Sequence, residues 1–158
     1  MFCLGTTVTV DGITYTLKNM MATVSGGSPT ASEITIPAFV SSGGSTYLVT
    51  GIGNYFMSGS KTLTKLVINA VDVTVDNYSF SNCSILTSVI VNGNLTAKGG
   101  AFVDCPSLSS VIVNGSLSIS GTCFSDDCPN LKYVSTTSGT ASACLQVSKQ
   151  PLQRLQRR

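Results

Sequence analysis

The sequence predicts a mainly β, right-handed solenoid of about four coils, each of roughly 22–24 residues, with parallel β-ladders and an N-terminal β-hairpin cap. Three observations predict it. A short unit repeats in register along the chain, each unit carries period-two alternation of β-branched residues, and an Asp-Gly pair near the start sits between two alternating runs.

The repeat comes first, because periods of this length define stacked architectures. The segment LTSVIVNG at positions 86–93 recurs, offset by 22, as LSSVIVNG at positions 108–115. An earlier copy, LTKLVIN, occupies positions 63–69 at an offset of 23. A worn copy, LKYVST, occupies positions 131–136, offset by 23 from the third. A Phe precedes each Leu, at Phe56, Phe80, Phe102 and Phe124, spaced 24, 22 and 22. Between them lies Cys83, Cys105 or Cys128 in three copies. Further apolar positions follow each polar turn: Val71, Val73 and Val75, then Leu95 and Ala97, then Leu117 and Ile119.

A unit this small cannot bury its own apolar face, so units stack and their apolar positions form internal ladders. The alternating L-x-x-V-x-V segment reads as a strand. The strands pair in parallel from coil to coil over residues 66–68, 89–91 and 111–113, more weakly over 134–136. Asn-Gly after Val91 and Val113 ends the strand in a turn. No segment of the repeats has a long 3.6-residue apolar period, so helices are short or absent there.

Residues 7–17 alternate around Asp11-Gly12, a two-residue hairpin turn. This hairpin reads as a cap over the first coil's open face. Residues 26–29, GGSP, and 41–45, SSGGS, read as loops. The expected organisation is residues 1–33 as cap, 34–145 as solenoid and 146–158 as a basic, disordered C-terminal tail.

The repeat F-x-x-C-x-x-L-x-x-V-x-[IV] resembles the BspA-type leucine-rich repeats. So do the lead-in segments DGITY (11–15), ATV (22–24), ITIP (34–37) and YLVTGIG (47–53), and the likeness spans residues 7–136. The resemblance implies a secreted or cell-surface protein that adheres to host proteins or other cells, with no shared catalytic residues. No signal peptide is visible in this sequence. The chain departs from the family pattern in two places. Ile-Pro ends a strand only at Ile36-Pro37, with Asn69, Asn92 and Asn114 standing there later. Thr136 replaces the last apolar residue of the final copy, which implies that the stack ends there.

Composition narrows the function. Charged residues are 10% of the chain, against roughly 25% in an average domain. The net charge of +2 comes from Lys149, Arg154, Arg157 and Arg158; without them five bases face seven acids, or −2. Such a body is a poor nucleic-acid partner, whose binding rests on neutralising phosphates. No apolar run suggests a membrane span. The chain has no His, which removes His-based triads and the commonest metal ligand. Of the carboxylates Asp11, Glu33, Asp72, Asp76, Asp104, Asp126 and Asp127, only the last two adjoin. No phosphate-binding glycine motif occurs and no C-x-x-C, so neither a cofactor nor a metal is expected. Cys83, Cys105 and Cys128 read as a buried ladder of reduced thiols. Cys123, five positions before Cys128, is the plausible local disulfide partner, and Cys3 and Cys144 are left unassigned. Sequons occur at Asn77, Asn82, Asn94 and Asn114.

The sequence therefore predicts no enzyme but a binding or adhesion module for an extracellular protein or glycan, or alternatively a structural spacer of a larger surface protein. If alternate strand residues point inward, three columns point out: Lys65, Ser88 and Ser110, continued by Tyr133; Val67, Ile90 and Ile112; and Asn69, Asn92 and Asn114. The apolar middle column either favours the strand alone or forms the contact stripe for a partner.

Overall fold

The computed structural model describes residues 5–124, 128–131 and 133–137. The described residues form thirteen strands in two sheets, without a helix. The strands are β1 (Thr6–Val10), β2 (Ile13–Lys18), β3 (Met21–Gly27), β4 (Glu33–Ile36), β5 (Phe39–Ser42), β6 (Ser45–Ile52), β7 (Lys65–Ile68), β8 (Asp72–Val75), β9 (Ser88–Val91), β10 (Asn94–Ala97), β11 (Ser110–Val113), β12 (Leu117–Ile119) and β13 (Tyr133–Thr136). The chain is a β-solenoid of about five turns, and each of the turns from β7 to β12 gives one strand to each sheet.

The five-stranded sheet has order β13-β11-β9-β7-β4, all parallel. Its register is the one read from the repeat: Leu66, Val89, Val111 and Val134 stand in line, as do Ile68, Val91, Val113 and Thr136. The eight-stranded sheet runs β1-β2-β3-β6-β8-β10-β12, with β5 paired to β6. Val73, Leu95 and Leu117 form its internal ladder.

Two kinds of contact hold the stack. The Leu and Val ladders are buried together with Leu63, Leu86 and Leu108, each such side chain contributing about 1.5–3 kcal/mol of transfer free energy. Backbone groups of the turn side also bond from coil to coil, as in Phe80 N–H to Ala101 O (2.9 Å) and Asn82 N–H to Val103 O (2.9 Å). Those donors point along the stack, so they are not available to close helical turns. Gly93 marks the tightest approach between coils, where a Cβ would collide with the Ala70 and Val71 carbonyls.

The repeat displays about four coils, and the structure adds one turn before them, because Ile34 pairs in register with Leu66. The β5–β6 hairpin lies between these two strands and lengthens that first turn, which hides the period. Three local readings need correction. Residues 41–45 belong to that hairpin rather than to a loop, with Gly43 (φ 56°) and Gly44 (φ 79°) as its two-residue turn. Gly26 and Gly27 belong to β3 and pair with Thr14 and Ile13. Val71 is exposed at the turn before β8 and is no part of the core.

Phe56 is also one position out of register. The Cys83, Cys105 and Cys128 thiols donate to the carbonyls of Met57, Phe80 and Phe102 respectively. Met57 is therefore the counterpart of Phe80. Phe56 occupies the column of Ser79, Ala101 and Cys123, a column of small buried residues elsewhere. Its ring does not fit there, and it lies half-buried and perpendicular to the Phe80 ring (6.0 Å, 88°). Phe80, Phe102 and Phe124 stack face to face at 5.4 and 5.5 Å.

At the N-terminus, β1 and β2 form the expected hairpin, with Asp11 (φ 50°) and Gly12 (φ 79°) in the turn and Val10 opposite Ile13. β3 then joins β2 antiparallel and β6 in parallel, so the hairpin extends the larger sheet. Ile13, Tyr15 and Leu17 point into the common core.

Candidate binding face

The outer surface of the five-stranded sheet collects the residues the sequence singled out. Along β7, β9 and β11 burial alternates, so Leu66, Ile68, Val89, Val91, Val111 and Val113 are inside and their neighbours outside. Lys65, Ser88 and Ser110 form one column in register, and Val67, Ile90 and Ile112 the next. All six are half-buried, since each packs on its cross-strand neighbours. Asn69, Asn92 and Asn114 follow the strand ends and are exposed. Tyr133 pairs with Ser110 on β13, and its side chain lies outside the described residues.

The structure adds Glu33 and Thr35 of β4, which extend the first two columns at one end; Ser135, already readable from the repeat as the continuation of the second column, pairs with Ile112 at the other. The apolar stripe of Val67, Ile90 and Ile112 is thus bounded by Thr35 and Ser135. The Glu33 carboxylate lies 4.0 Å from the Lys65 ammonium, an exposed pair of little energetic weight.

The asparagines are not independent. The Asn92 side-chain amide donates to the Asn69 Oδ1 at 2.8 Å, and Asn114 donates to the Asn92 Oδ1 at 2.8 Å. This amide ladder fixes one edge of the face. Beyond the turn, the Asn94 amide donates to Asp72 at 2.6 Å, and Lys98 pairs with Asp76 at 2.6 Å. These carboxylates tie coil to coil. Asp126, Asp127, Cys3, Cys144 and the 146–158 tail lie outside the described residues.

Cys83, Cys105, Cys123 and Cys128 are buried and carry thiols. Cys123, read from the sequence as the plausible local disulfide partner, forms no disulfide with Cys128, and the two lie in different columns. The Cys123 thiol donates to Lys98 O at 3.0 Å, as the Ser79 hydroxyl donates to Gly53 O at 2.9 Å two coils earlier. Cys123 therefore fills a small polar slot. In the other column, the hydrogen bond with Cys128 lowers the Cys105 thiol pKa. The hydrogen bond with Cys83 and burial outweigh it and push that pKa up to about 12. Burial, with a lesser push from Asp11, raises Tyr15 to about 12. These groups face the interior and take no part in the outer face.

An open groove of about 730 Å³ runs along the turns, past Gly59, Asn82, Asp104 and Pro106. Among the described residues no helix is long and apolar enough to cross a membrane.

Parallel ladders, one short coil per repeat and an outer sheet in unbroken register define the class: a leucine-rich-repeat solenoid. The BspA type leucine rich repeat region matches residues 30–143 in six copies. The chain belongs to that family. Its fold is similar to that of a leucine-rich repeat protein from Bacteroides capillosus ATCC 29799, at TM-score 0.66 and 21% identity over 82% of this chain and 97% of that one. It is also similar to a leucine rich cell surface protein from Faecalibacterium prausnitzii A2-165, at TM-score 0.51 and 16% identity. That match covers 90% of this chain and 53% of the other. No curated protein matches the sequence.

Proposed function

We propose that the chain is a non-catalytic binding module that presents the outer face of its five-stranded sheet to an extracellular protein or glycan, at the cell surface or after secretion. The observation that supports this reading most is the apolar column Val67, Ile90 and Ile112, held in register beside a hydrogen-bonded asparagine edge. A partner displaces water from the stripe and meets fixed amides and hydroxyls at its border, the arrangement of an apolar centre and polar rim. Family membership and the cell-surface relative agree with it.

The test compares the wild-type chain with Ile90→Thr/Ile112→Thr, both immobilised and probed with extracellular-matrix proteins and whole cells. Threonine keeps the β-branch, so the fold should lose no more than about 1 kcal/mol. Binding should weaken by about tenfold, equivalent to ~1.4 kcal/mol across the interface. Undiminished binding would place the contact elsewhere.

A further inference from the structure

The turn that leaves the eight-stranded sheet holds two tyrosines that neither the core nor the backbone requires. Tyr55 and Tyr78 occupy one position of successive coils: Tyr55 N–H donates to Asn77 O and Tyr78 N–H to Gly99 O, each at 3.3 Å. Their rings stack at 5.4 Å with 10° between planes. Both are exposed, Tyr55 to 62% and Tyr78 to 43%.

Both also hold a left-handed backbone, φ 58° at Tyr55 and 56° at Tyr78. Glycine, asparagine and aspartate enter that region readily, and a bulky residue avoids it. The rest of these turns follows the rule. Gly100 takes the same position in the next coil, and Gly59, Asn82 and Asp104 fill the other left-handed column. Gly100 also makes room, because a Cβ there would run into the Tyr78 ring. Tyr78 is thus seated between Tyr55 and Gly100, and Tyr55 ends the aromatic stack. A strained conformation kept for exposed aromatic side chains serves contact rather than stability.

The surroundings choose the partner. Asn54 and Asn77, each preceding one of the tyrosines, are exposed. The nearby charges cancel, since Lys98 and Asp76 form an ion pair at 2.6 Å. With that pair neutralised, the stacked rings have, among the described residues, no fixed charge beside them to select an anion, and the two exposed asparagines favour a ligand rich in hydroxyls over a bare cation. The arrangement suits a pyranose, whose C–H face lies on the ring while its hydroxyls reach the amides.

We propose that Tyr55 and Tyr78 form a stacking site for a neutral glycan, separate from the β-face and independent of it. The test is electrophoresis of the full chain through native gels, each holding one soluble neutral polysaccharide: a β-glucan, a mannan, a xylan or a galactan. At least one should retard the wild-type chain. Tyr55→Asn/Tyr78→Asn should weaken that affinity by about tenfold or more. It should keep or raise the thermal midpoint, because asparagine suits a left-handed turn. Tyr55→Phe should retain binding. The proposal is overturned if no gel retards the wild type, if the double variant is retarded equally, or if the double variant melts below the wild type, which would make the tyrosines structural.

Discussion

Phe102→Ala tests the internal register most directly. The ring is fully buried and lies between Phe80 at 5.4 Å and Phe124 at 5.5 Å, nearly parallel to both. A buried Phe→Ala change costs about 3–5 kcal/mol, the higher figures where the cavity cannot collapse. Collapse is hindered here, because strand hydrogen bonds hold the coils at a spacing of ~4.8 Å and neither neighbouring ring can move in without breaking them. The expected loss is therefore about 4–5 kcal/mol, much of the total for a domain of ordinary stability. Phe56→Ala is the internal control. Residue type alone puts Phe56 on the same ladder and predicts the same loss. The structure puts it half-buried in a perpendicular contact with Phe80, which predicts about 1–2 kcal/mol. Urea unfolding followed by far-ultraviolet circular dichroism measures both. Should Phe102→Ala prove too unstable to fold, Phe102→Leu, with an expected loss near or below ~1.5 kcal/mol, keeps the site measurable. A loss under about 1 kcal/mol at Phe102, or equal losses at both positions, refutes the register.

Two further outcomes follow from buried groups. Cys83, Cys105 and Cys128 should react slowly with a thiol reagent in the native chain and rapidly in denaturant, as read residue by residue by mass spectrometry; fast native labelling of all three contradicts the ladder. Tyr15 is raised to about 12 in the fold, against about 10 for an exposed tyrosine. The native state therefore disfavours its ionised form. Its contribution to stability is complete below about pH 10 and lost as pH rises toward 12. Tyr15→Phe should flatten that alkaline decline, and an unchanged decline assigns it to other groups.

Most of the five-stranded sheet is legible in the sequence because its signal repeats. Leu66, Val89 and Val111 lie at spacings of 23 and 22, and the structure pairs them one to one. The first turn is not legible as a coil, because the β5–β6 hairpin interrupts the period. Yet Gly43-Gly44 between two short runs is a two-residue hairpin signal that local reading supplies. Phe56 misleads because a residue type stands out more than a spacing does: Met57 keeps the period with an offset of 23 to Phe80, and Phe56, at 24, does not. Cys123 misleads for a similar reason. Proximity in sequence suggests a disulfide, whereas the column it shares with Ser79 and Ala101 demands only a small side chain. The outer columns are readable from alternation. Their lateral bonds, such as Asn92 to Asn69, are not, because they arise only when coils stack.

The same stacking explains the chain's departure from the Ile-Pro strand ending. Ile36 stands opposite Ile68 in register, so Pro37 and Asn69 are counterparts. In later coils this position has work for its backbone N–H. Asn69 donates to Ile36 O, Asn92 to Ile68 O and Asn114 to Val91 O, each at 2.8 Å. Proline lacks that donor, so at any of the three it would leave a carbonyl of the preceding coil without its partner. At Pro37 the cost vanishes, because β4 is the edge strand of its sheet and, among the described residues, no strand beyond it offers a carbonyl. Once the position is free of proline, its side chain can also act between coils. Asparagine is well suited, since one amide carries both the donor for the coil before and the acceptor for the coil after. The substitution that looks like erosion of the motif thus adds a backbone bond at each step and, between successive asparagines, a side-chain bond. It also supplies the rigid polar edge beside Val67, Ile90 and Ile112, on which the proposed binding face depends.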